Sequence, residues 1–467
     1  MYTIPPLKRK DLIYYIVLFF ISNAIFATDF QMLNQAGQKI DTDDEQTAIA
    51  VNAPDSMADE SLTDDLLTLE EAINIAIRDN PGLAEMQARA DAMAAIPSQV
   101  GALPDPIISF NALNLPTDTF NLPQEAMTQM QFGVSQALPF PGKLALRERA
   151  AEYEAKAAAN NFDETRLRLL RDVKTTWWQL FNLDKALAIV LTNQELLRQF
   201  VEIAQTKYSV GQGLQQDVLL AQLELSKLLD LELSLAGARS SEEARLNALL
   251  DIPPDHPVHL PQQFSKELPK LAKEPVLYKL TDQSRPLLAG QQNHISAART
   301  RVELAKKDFY PDFNVGAKYG IRSGNNFGRG GSRADFATFM LSMNVPLFID
   351  RKQRKAVDQR GSELLEATFK FQDLRLFIQA EISAAVSDYQ RSRDQFELFG
   401  TGIIPQAQQT VSSMLAGYQV NKVDFLNLVR AQITLYNYEI KYWQVLSEAN
   451  QALANVVAAV GVEAVYE

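Results

Sequence analysis

The sequence predicts an α+β membrane protein in which one helix-strand-strand-helix-helix unit occurs twice. Its strands contribute to a β-barrel shared by several chains, and its helices form long coiled coils. Three observations point there: an export signal with no later apolar run long enough to span a membrane as a helix, four segments of alternating polarity, and long proline-free stretches with helical periodicity that recur at a nearly constant offset.

The export signal occupies residues 1–27. Lys8-Arg9-Lys10 precede an apolar run over 12–26, interrupted only by Ser22 and Asn23, and Ala27 stands before the polar Thr28-Asp29. This is the charge, core and small-residue order of a secretory signal peptide, with cleavage expected after Ala27. An uncleaved anchor is the competing reading, and the run is short for it. Residues 28–67, with Asp41-Thr-Asp-Asp-Glu45 and few aromatics, read as a flexible acidic leader.

Composition narrows the function. Charged residues make up 22% of the 467 and apolar ones 46%, enough to bury a large surface. The formal charge of −12 argues against nucleic acid as a partner, because neutralising phosphates takes clustered Lys and Arg. With no cysteine in the chain, neither a disulfide nor a lipidated N-terminal cysteine is available.

The duplication is visible in the letters. Leu103-Pro104-Asp105 recurs as Tyr310-Pro311-Asp312 and Leu138-Pro139 as Val345-Pro346, both 207 residues on. Tyr208-Ser-Val210 recurs as Tyr418-Gln-Val420 and Ala221-Gln222 as Ala431-Gln432, 210 residues on. We expect repeat 1 over 68–262, a Pro- and Lys-bearing linker over 263–275 and repeat 2 over 276–467.

Repeat 1 opens with an apolar-periodic segment from about 69 to 100, Thr68 and Glu71 forming a capping-box pattern. A long helix is expected over about 141–208, which at the usual rise is about 100 Å. Its apolar residues step by three and four, as Leu169, Val173, Trp177 and Leu180 do, which is coiled-coil spacing. A returning helix over about 213–250 carries two stripes. One is Leu214, Val218, Ala221, Leu225 and Leu228, and the other, partial one is Leu219, Leu223, Leu229 and Leu233. Two stripes imply two neighbours, as in a wall of helices.

Repeat 2 follows with a long helix over about 350–399, a restart near 405 and a helix over about 423–460. Here Gly400-Thr-Gly-Ile-Ile-Pro405 predicts a kink or restart, with Pro405 near the first turn of the new segment.

Strands are expected over about 106–113, 128–138, 311–322 and 335–346. In the third, Phe313, Val315, Ala317, Tyr319 and Ile321 take one side, and Asn314, Gly316, Lys318, Gly320 and Arg322 the other. The second sets Met130, Phe132, Val134 and Leu138 against Gln131, Gly133, Ser135 and Ala137. Strands of this length and alternation suit a barrel with lipid outside and water inside. A soluble antiparallel sheet gives the same pattern, and the export signal tips the reading to the barrel. Polar connectors over 115–125 and 323–333 would face the cell exterior. Four strands cannot close a barrel, and open edges are not tolerated in lipid, so several chains must contribute. Two chains would give eight strands and three would give twelve; the wide lumen of a conduit favours three.

These features resemble the TolC-type family of outer-membrane efflux channels over essentially everything after the leader. The duplicated order carries the likeness, with two turn motifs: Tyr208-Ser-Val-Gly-Gln-Gly-Leu-Gln-Gln-Asp217 and Tyr418-Gln-Val-Asn-Lys-Val-Asp-Phe-Leu-Asn427. The resemblance implies a homotrimer whose 12-stranded β-barrel is continued by a long periplasmic α-helical coiled-coil barrel. It places the protein in the bacterial outer membrane, in contact with its lipid and extending into the periplasm. A periplasmic adaptor protein would dock at the two turns and link the channel to an inner-membrane pump. The docking residues expected on that basis are Tyr208, Val210, Gly211, Gly213, Tyr418, Val420, Asn421 and Lys422.

Gly101-Ala-Leu-Pro-Asp-Pro106, Gln136-Ala-Leu-Pro-Phe-Pro-Gly-Lys143 and Asn421-Lys-Val-Asp-Phe-Leu426 resemble the heavy-metal branch of Cus and Czc type. That implies a passive conduit serving a heavy-metal cation pump. A duct for drugs or other small molecules, or a coiled-coil envelope scaffold without a pore, are the alternatives. Some family members close the tip with aspartates, two of them three residues apart in the second turn. Those positions are Asn427 and Arg430 here, a departure from the pattern. Asp424 lies nearby and Asp217 matches the first position in the other half, so Asp217, Asp424, Asn427 and Arg430 are the expected aperture residues.

No enzyme is expected, since neither a nucleophile elbow nor a Walker-type loop occurs. No cofactor is implied, and no metal cluster is expected. His256 and His259 stand three apart, a weak metal pattern that reads better as a solvated loop. Met340 and Met343 fit strand packing, and Trp177, Trp178 and Trp443 read as packing anchors on helices.

Overall fold

The computed structural model describes residues 66–262, 265–326, 328, 330–420 and 422–466. The signal peptide and nearly all of the leader lie outside the described residues.

Helix α1 (Leu69–Asp79) starts at the expected capping box. The Glu71 N–H donates to Thr68 Oγ1 at 3.2 Å, and the Thr68 N–H donates to Glu71 Oε2 at 2.9 Å. The segment expected to run on to about 100 is instead three helices, α1, α2 (Pro81–Ala94) and α3 (Ile96–Gly101). Pro81 is the reason at the first break: a residue before proline is pushed out of the α region, and Asn80 has ψ 117°. The second half does the same at Arg285, ψ 115°, between α6 (Glu274–Ser284) and α7 (Pro286–Lys307).

Four strands, β1 (Ile107–Leu113), β2 (Gln129–Leu138), β3 (Phe313–Ile321) and β4 (Phe336–Met343), form one antiparallel sheet in chain order. The register puts like against like: Phe110 faces Phe132, Phe132 faces Tyr319, and Ala317 faces Phe339. Phe110 and Phe132 hold their ring centroids 4.9 Å apart. Every apolar alternate named above therefore falls on one face, and no helix packs across it among the described residues. Phe339 is 85% exposed. On the other face Ser109, Gly133, Lys318 and Thr338 make one row. A Cβ on Gly133 would come within 2.7 Å of Lys318 Cγ, so the bare backbone lets the long lysine stem lie across the sheet. Beyond the strands, the buried Arg333 guanidinium donates to the carbonyls of Pro123, Glu125 and Ser323, tying the two connectors together.

The long helix of the first half is α4 (Lys143–Ser209), 67 residues without a break. Its counterpart comprises α8 (Gln353–Leu398), a π turn (Phe399–Ile403) and α9 (Ile404–Gln419), segments of 46, 5 and 16 residues spanning the same 67. The expected interruption is present: α8 ends at Leu398 and α9 restarts at Ile404 with Pro405 in its first turn, while the chain between them stays helical. The interruption is a change of winding: Ile404 donates back to Phe399, five residues away. Pro405, in the first turn of α9, has no N–H for the ordinary bond to Thr401. The three-residue drift between the repeats lies ahead of these helices, in the loops over 139–142 and 344–352.

Helices α5 (Gln215–Leu249) and α10 (Phe425–Val460) return from the tip. Each repeat has its own apolar core. Trp177, Trp178 and Phe181 of α4 pack with Ala72, Ala76 and Leu246, and Trp443 of α10 meets Phe181 edge-on. Tyr389, Ile378 and Ile382 of α8 pack with Val456 and Ala459. A buried ion pair joins the halves: Arg285 donates to Glu164 at 2.8 Å.

Candidate functional site

The candidate site is the pair of turns at the far end of the helices, where a third apolar cluster forms around Phe200, Phe425, Leu428 and Tyr418. In the first turn Gly211 adopts φ +71°. That left-handed residue lets the Gln212 N–H donate to the Lys207 carbonyl at 2.8 Å and the Gly211 N–H to the Tyr208 carbonyl at 3.0 Å, a Schellman cap. The second turn repeats the longer bond, the Lys422 N–H donating to the Gly417 carbonyl at 2.8 Å.

Each turn brings two chain segments so close that a Cβ at one position would crowd the other, and the halves place the glycine on opposite sides. A Cβ on Gly213 would sit 3.0 Å from Lys207 Cβ. In the second turn the glycine is Gly417, the counterpart of Lys207, and Val423, the counterpart of Gly213, covers it at 2.5 Å from a built Cβ. Aligning the halves at an offset of 210 would have exposed this exchange.

The two turns are joined by Lys207, which sequence reasoning missed. Its ammonium donates to the Tyr418 carbonyl at 2.9 Å and lies 4.1 Å from the centre of the Tyr418 ring. Tyr418 is only 6% exposed and packs on Phe425 with ring centroids 5.3 Å apart. It therefore differs from Tyr208, with which it was grouped as a docking residue: Tyr208, Val210 and Val420 are exposed. Lys422 and Gly211 are exposed too, and Gly213 is half-buried. Asn421 lies outside the described residues.

Of the expected aperture residues, Asp424, Asn427 and Arg430 are exposed at spacings of three along the start of α10. Asp217 is half-buried on α5. The structure brings Asp217 and Asp424 within electrostatic reach. Burial pushes the Asp217 carboxyl above the ordinary carboxylate value, and the Asp424 charge pushes the same way against the Leu214 N–H and the Lys207 ammonium. The Tyr418 phenol is raised by its burial and then by the charge of Asp217.

Behind the turns a buried polar layer crosses the apolar seam. Gln432 Nε2 of α10 donates to Asn193 Oδ1 of α4 at 2.7 Å, and Gln194 Nε2 donates to Glu232 Oε2 at 2.7 Å. Asn193 and Gln194 interrupt a three-four apolar pattern, which is the one signal that could have found them.

Among the described residues no group of three or more His, Cys, Asp or Glu is placed to hold a metal ion. His256 and His259 sit in the loop after α5, each giving its backbone carbonyl to a hydrogen bond. No helix among the described residues is long and apolar enough to cross a membrane.

Comparison with known proteins fits these features. The family model for the outer membrane efflux protein matches residues 72–251 and again 277–462. The cobalt-zinc-cadmium resistance protein CzcC of Cupriavidus metallidurans is 21% identical over 412 residues, covering 84% of this chain and 89% of CzcC. Among solved structures, the outer membrane protein VceC of Vibrio cholerae superposes with a TM-score of 0.70 at 19% identity, covering 84% of this chain and 96% of VceC. CusC, solved in a study of its folding and transmembrane channel formation, gives 0.70 at 16%, covering 84% and 92%. Matched twice by one family model, once in each repeat, the chain belongs to the outer membrane efflux proteins, TolC-type channels that act as non-enzymatic conduits in the outer membrane and reach into the periplasm.

Proposed function

We propose that three copies of this chain form a 12-stranded barrel continued by a periplasmic helical barrel, and that the assembly is the passive exit duct of a tripartite efflux system for heavy-metal cations. The observation that carries this reading is the sheet. Its strands β1 and β4 each have an open edge, and its apolar face is uncovered. A face of that kind is stable in lipid once neighbouring chains close the edges. The second stripe of α5 supports the same assembly: Leu219, Leu223, Leu229 and Leu233 are exposed, while Ala221 and Leu228 of the first stripe are buried within the chain. The exposed stripe is the surface a neighbouring copy would cover. The metal reading draws on the name of CzcC.

An adaptor protein docks on the exposed rim formed by Tyr208, Val210, Val420 and Lys422, and an inner-membrane pump engages the duct through that adaptor. Asp217, Asp424, Asn427 and Arg430 line the aperture. Single-channel recording of the purified protein tests the pore: a conductance unchanged by joint replacement of Asp217, Asp424 and Arg430 with Ala removes them from the aperture. Mass measurement in detergent tests the trimer. Deletion of the gene tests the cargo, lowering tolerance to cobalt, zinc or cadmium; lost tolerance to drugs alone would favour the small-molecule duct.

A further inference from the structure

The two loops that lead from strand to long helix share a Leu/Val-Pro start and then diverge. In the first, Phe140 stacks on Tyr310 with ring centroids 4.5 Å apart, and its N–H donates to Asp312 Oδ1 at 2.7 Å. The Lys143 ammonium, 3% exposed, is held between Asp308 and Asp312 at 3.0 and 2.9 Å. That loop is sealed against the protein. Its counterpart is three residues longer and is not sealed: Leu347 is 77% exposed and Phe348 73%.

Two further features say what covers it. Val345, Leu347 and Phe348 are exposed as Phe339, Leu341 and Met343 are, so uncovered apolar side chains continue past the last ladder pair, Phe313 with Met343, on the way to α8. The chain then turns at once. The N–H groups of Arg351 and Lys352 donate to the Phe348 carbonyl at 3.1 and 2.9 Å, which sets a basic run directly behind the apolar tip. Arg351, Lys352, Arg354 and Lys355 are all exposed, and Asp350 is the one acid among residues 350–355. Asp350 pairs with Arg354 and Asp358 with Lys355, leaving an excess of positive charge. Apolar side chains followed by clustered Lys and Arg are the pattern that holds a chain at an anionic lipid surface.

We propose that the 345–349 loop and the basic run behind it form a lipid-binding anchor on the helical side of the membrane. Leu347 and Phe348 enter the headgroup boundary, and the four basic side chains hold anionic phospholipid headgroups. The proposal rests on the reading that the apolar sheet face lies in the outer membrane. It gives a chain without cysteine a non-covalent hold at the level where the barrel meets the helices.

The absence of cysteine makes the test direct. Full-length F348C and F339C, each spin-labelled at its single thiol, are reconstituted in vesicles of phosphatidylethanolamine and phosphatidylglycerol. The accessibility of each label to oxygen and to a water-soluble nickel complex then reports its depth. Both positions are exposed, so neither substitution threatens folding. The label at 339 is expected in the hydrocarbon and that at 348 at the headgroup boundary. Combining F348C with R351Q/K352Q/R354Q/K355Q, or omitting phosphatidylglycerol, is expected to raise nickel access at 348 several-fold. A label at 348 that is water-exposed while that at 339 lies in lipid overturns the anchor alone. So does a label at 348 shielded from both reagents, which would place a second copy of the chain there. A depth indifferent to charge removes the headgroup role. Water exposure at 339 overturns the membrane reading itself.

Discussion

The two 67-residue helical arms end in matching turns, yet their outer thirds live in different surroundings. Arm α4 is flanked there by α5 and by α10, and Val190, Leu197, Phe200 and Ala204 are buried. Segment α9 packs mainly on α10, with Lys207 of α4 reaching Tyr418 at its end, and of its residues Tyr418 is the buried one. The winding defect sits on the less enclosed arm. Gly400, Gly402 and Pro405 stand where the arm makes fewer contacts within its own chain, whereas their counterparts Val190, Thr192 and Glu195 belong to a stretch in which Val190, Asn193 and Gln194 are buried. Duplication has copied length and turn chemistry; packing has decided where a helix must be continuous.

The largest expected effect comes from exchanging the defect between arms. Glu195→Pro puts proline at the α4 site matching Pro405 and should cost about 3 kcal/mol or more, whereas Pro405→Ala should change stability by less than about 1 kcal/mol. Urea unfolding of the detergent-solubilised protein measures both, and equal losses would erase the contrast between the arms. Next is the polar layer that ties α4 to α10. Asn193→Leu strands the buried Gln432 amide and should cost about 1–3 kcal/mol, most of it recovered when Gln432→Leu is added. Additive losses in that double-mutant cycle would mean the two amides do not act as a pair.

At the first turn, Gly211→Ala should cost about 1–2 kcal/mol because of the positive φ, and Gly211→Asn, which is the residue at 421 in the second turn, clearly less. Amide exchange at Gln212 reports the cap directly. Within the π turn the two glycines should part company. Gly402→Ala has room and should stabilise by about 0.5–1 kcal/mol, but Gly400→Ala should gain nothing, its Cβ meeting the Tyr442 ring at 3.2 Å. Thermal melts that rank them the other way would show that the turn is not anchored on Tyr442.

The smallest effect is on pH. The Asp217 value is raised in the folded state, so the native tip binds a proton more readily than the unfolded chain does. The first turn should therefore gain stability as pH falls through that raised value toward the ordinary carboxylate range, and lose it as pH rises. Amide exchange near Leu214, followed against pH, should show this trend in the native protein and a flat profile in Asp217→Asn.

Much of this was legible in the letters because it depends on local chemistry. The capping box at Thr68 needs only two side chains three residues apart, and it forms. Strand alternation is a property of each strand by itself, and the register then set apolar against apolar across all four. The expected interruption falls at Gly400 to Pro405, with Pro405 in the first turn of α9, but its form, a π turn, is something periodicity does not carry. A missing N–H can be absorbed by one wider turn when the helix has space, and whether it has space depends on distant residues. The two tip tyrosines show the same limit: each is followed two residues on by a valine, but only the Tyr418 ring packs on Phe425 and under the Lys207 ammonium.

By itself the sequence determined which segments coil and which extend, that the unit occurs twice, and that one face of the strands is apolar, since each follows from side-chain pattern against backbone period. Only the tertiary structure decided which stripe of α5 is used within the chain, which tyrosine is buried at the tip, and which strand-to-helix loop is left open. Those outcomes turn on what lies across the fold, at sequence separations where no local pattern carries the information.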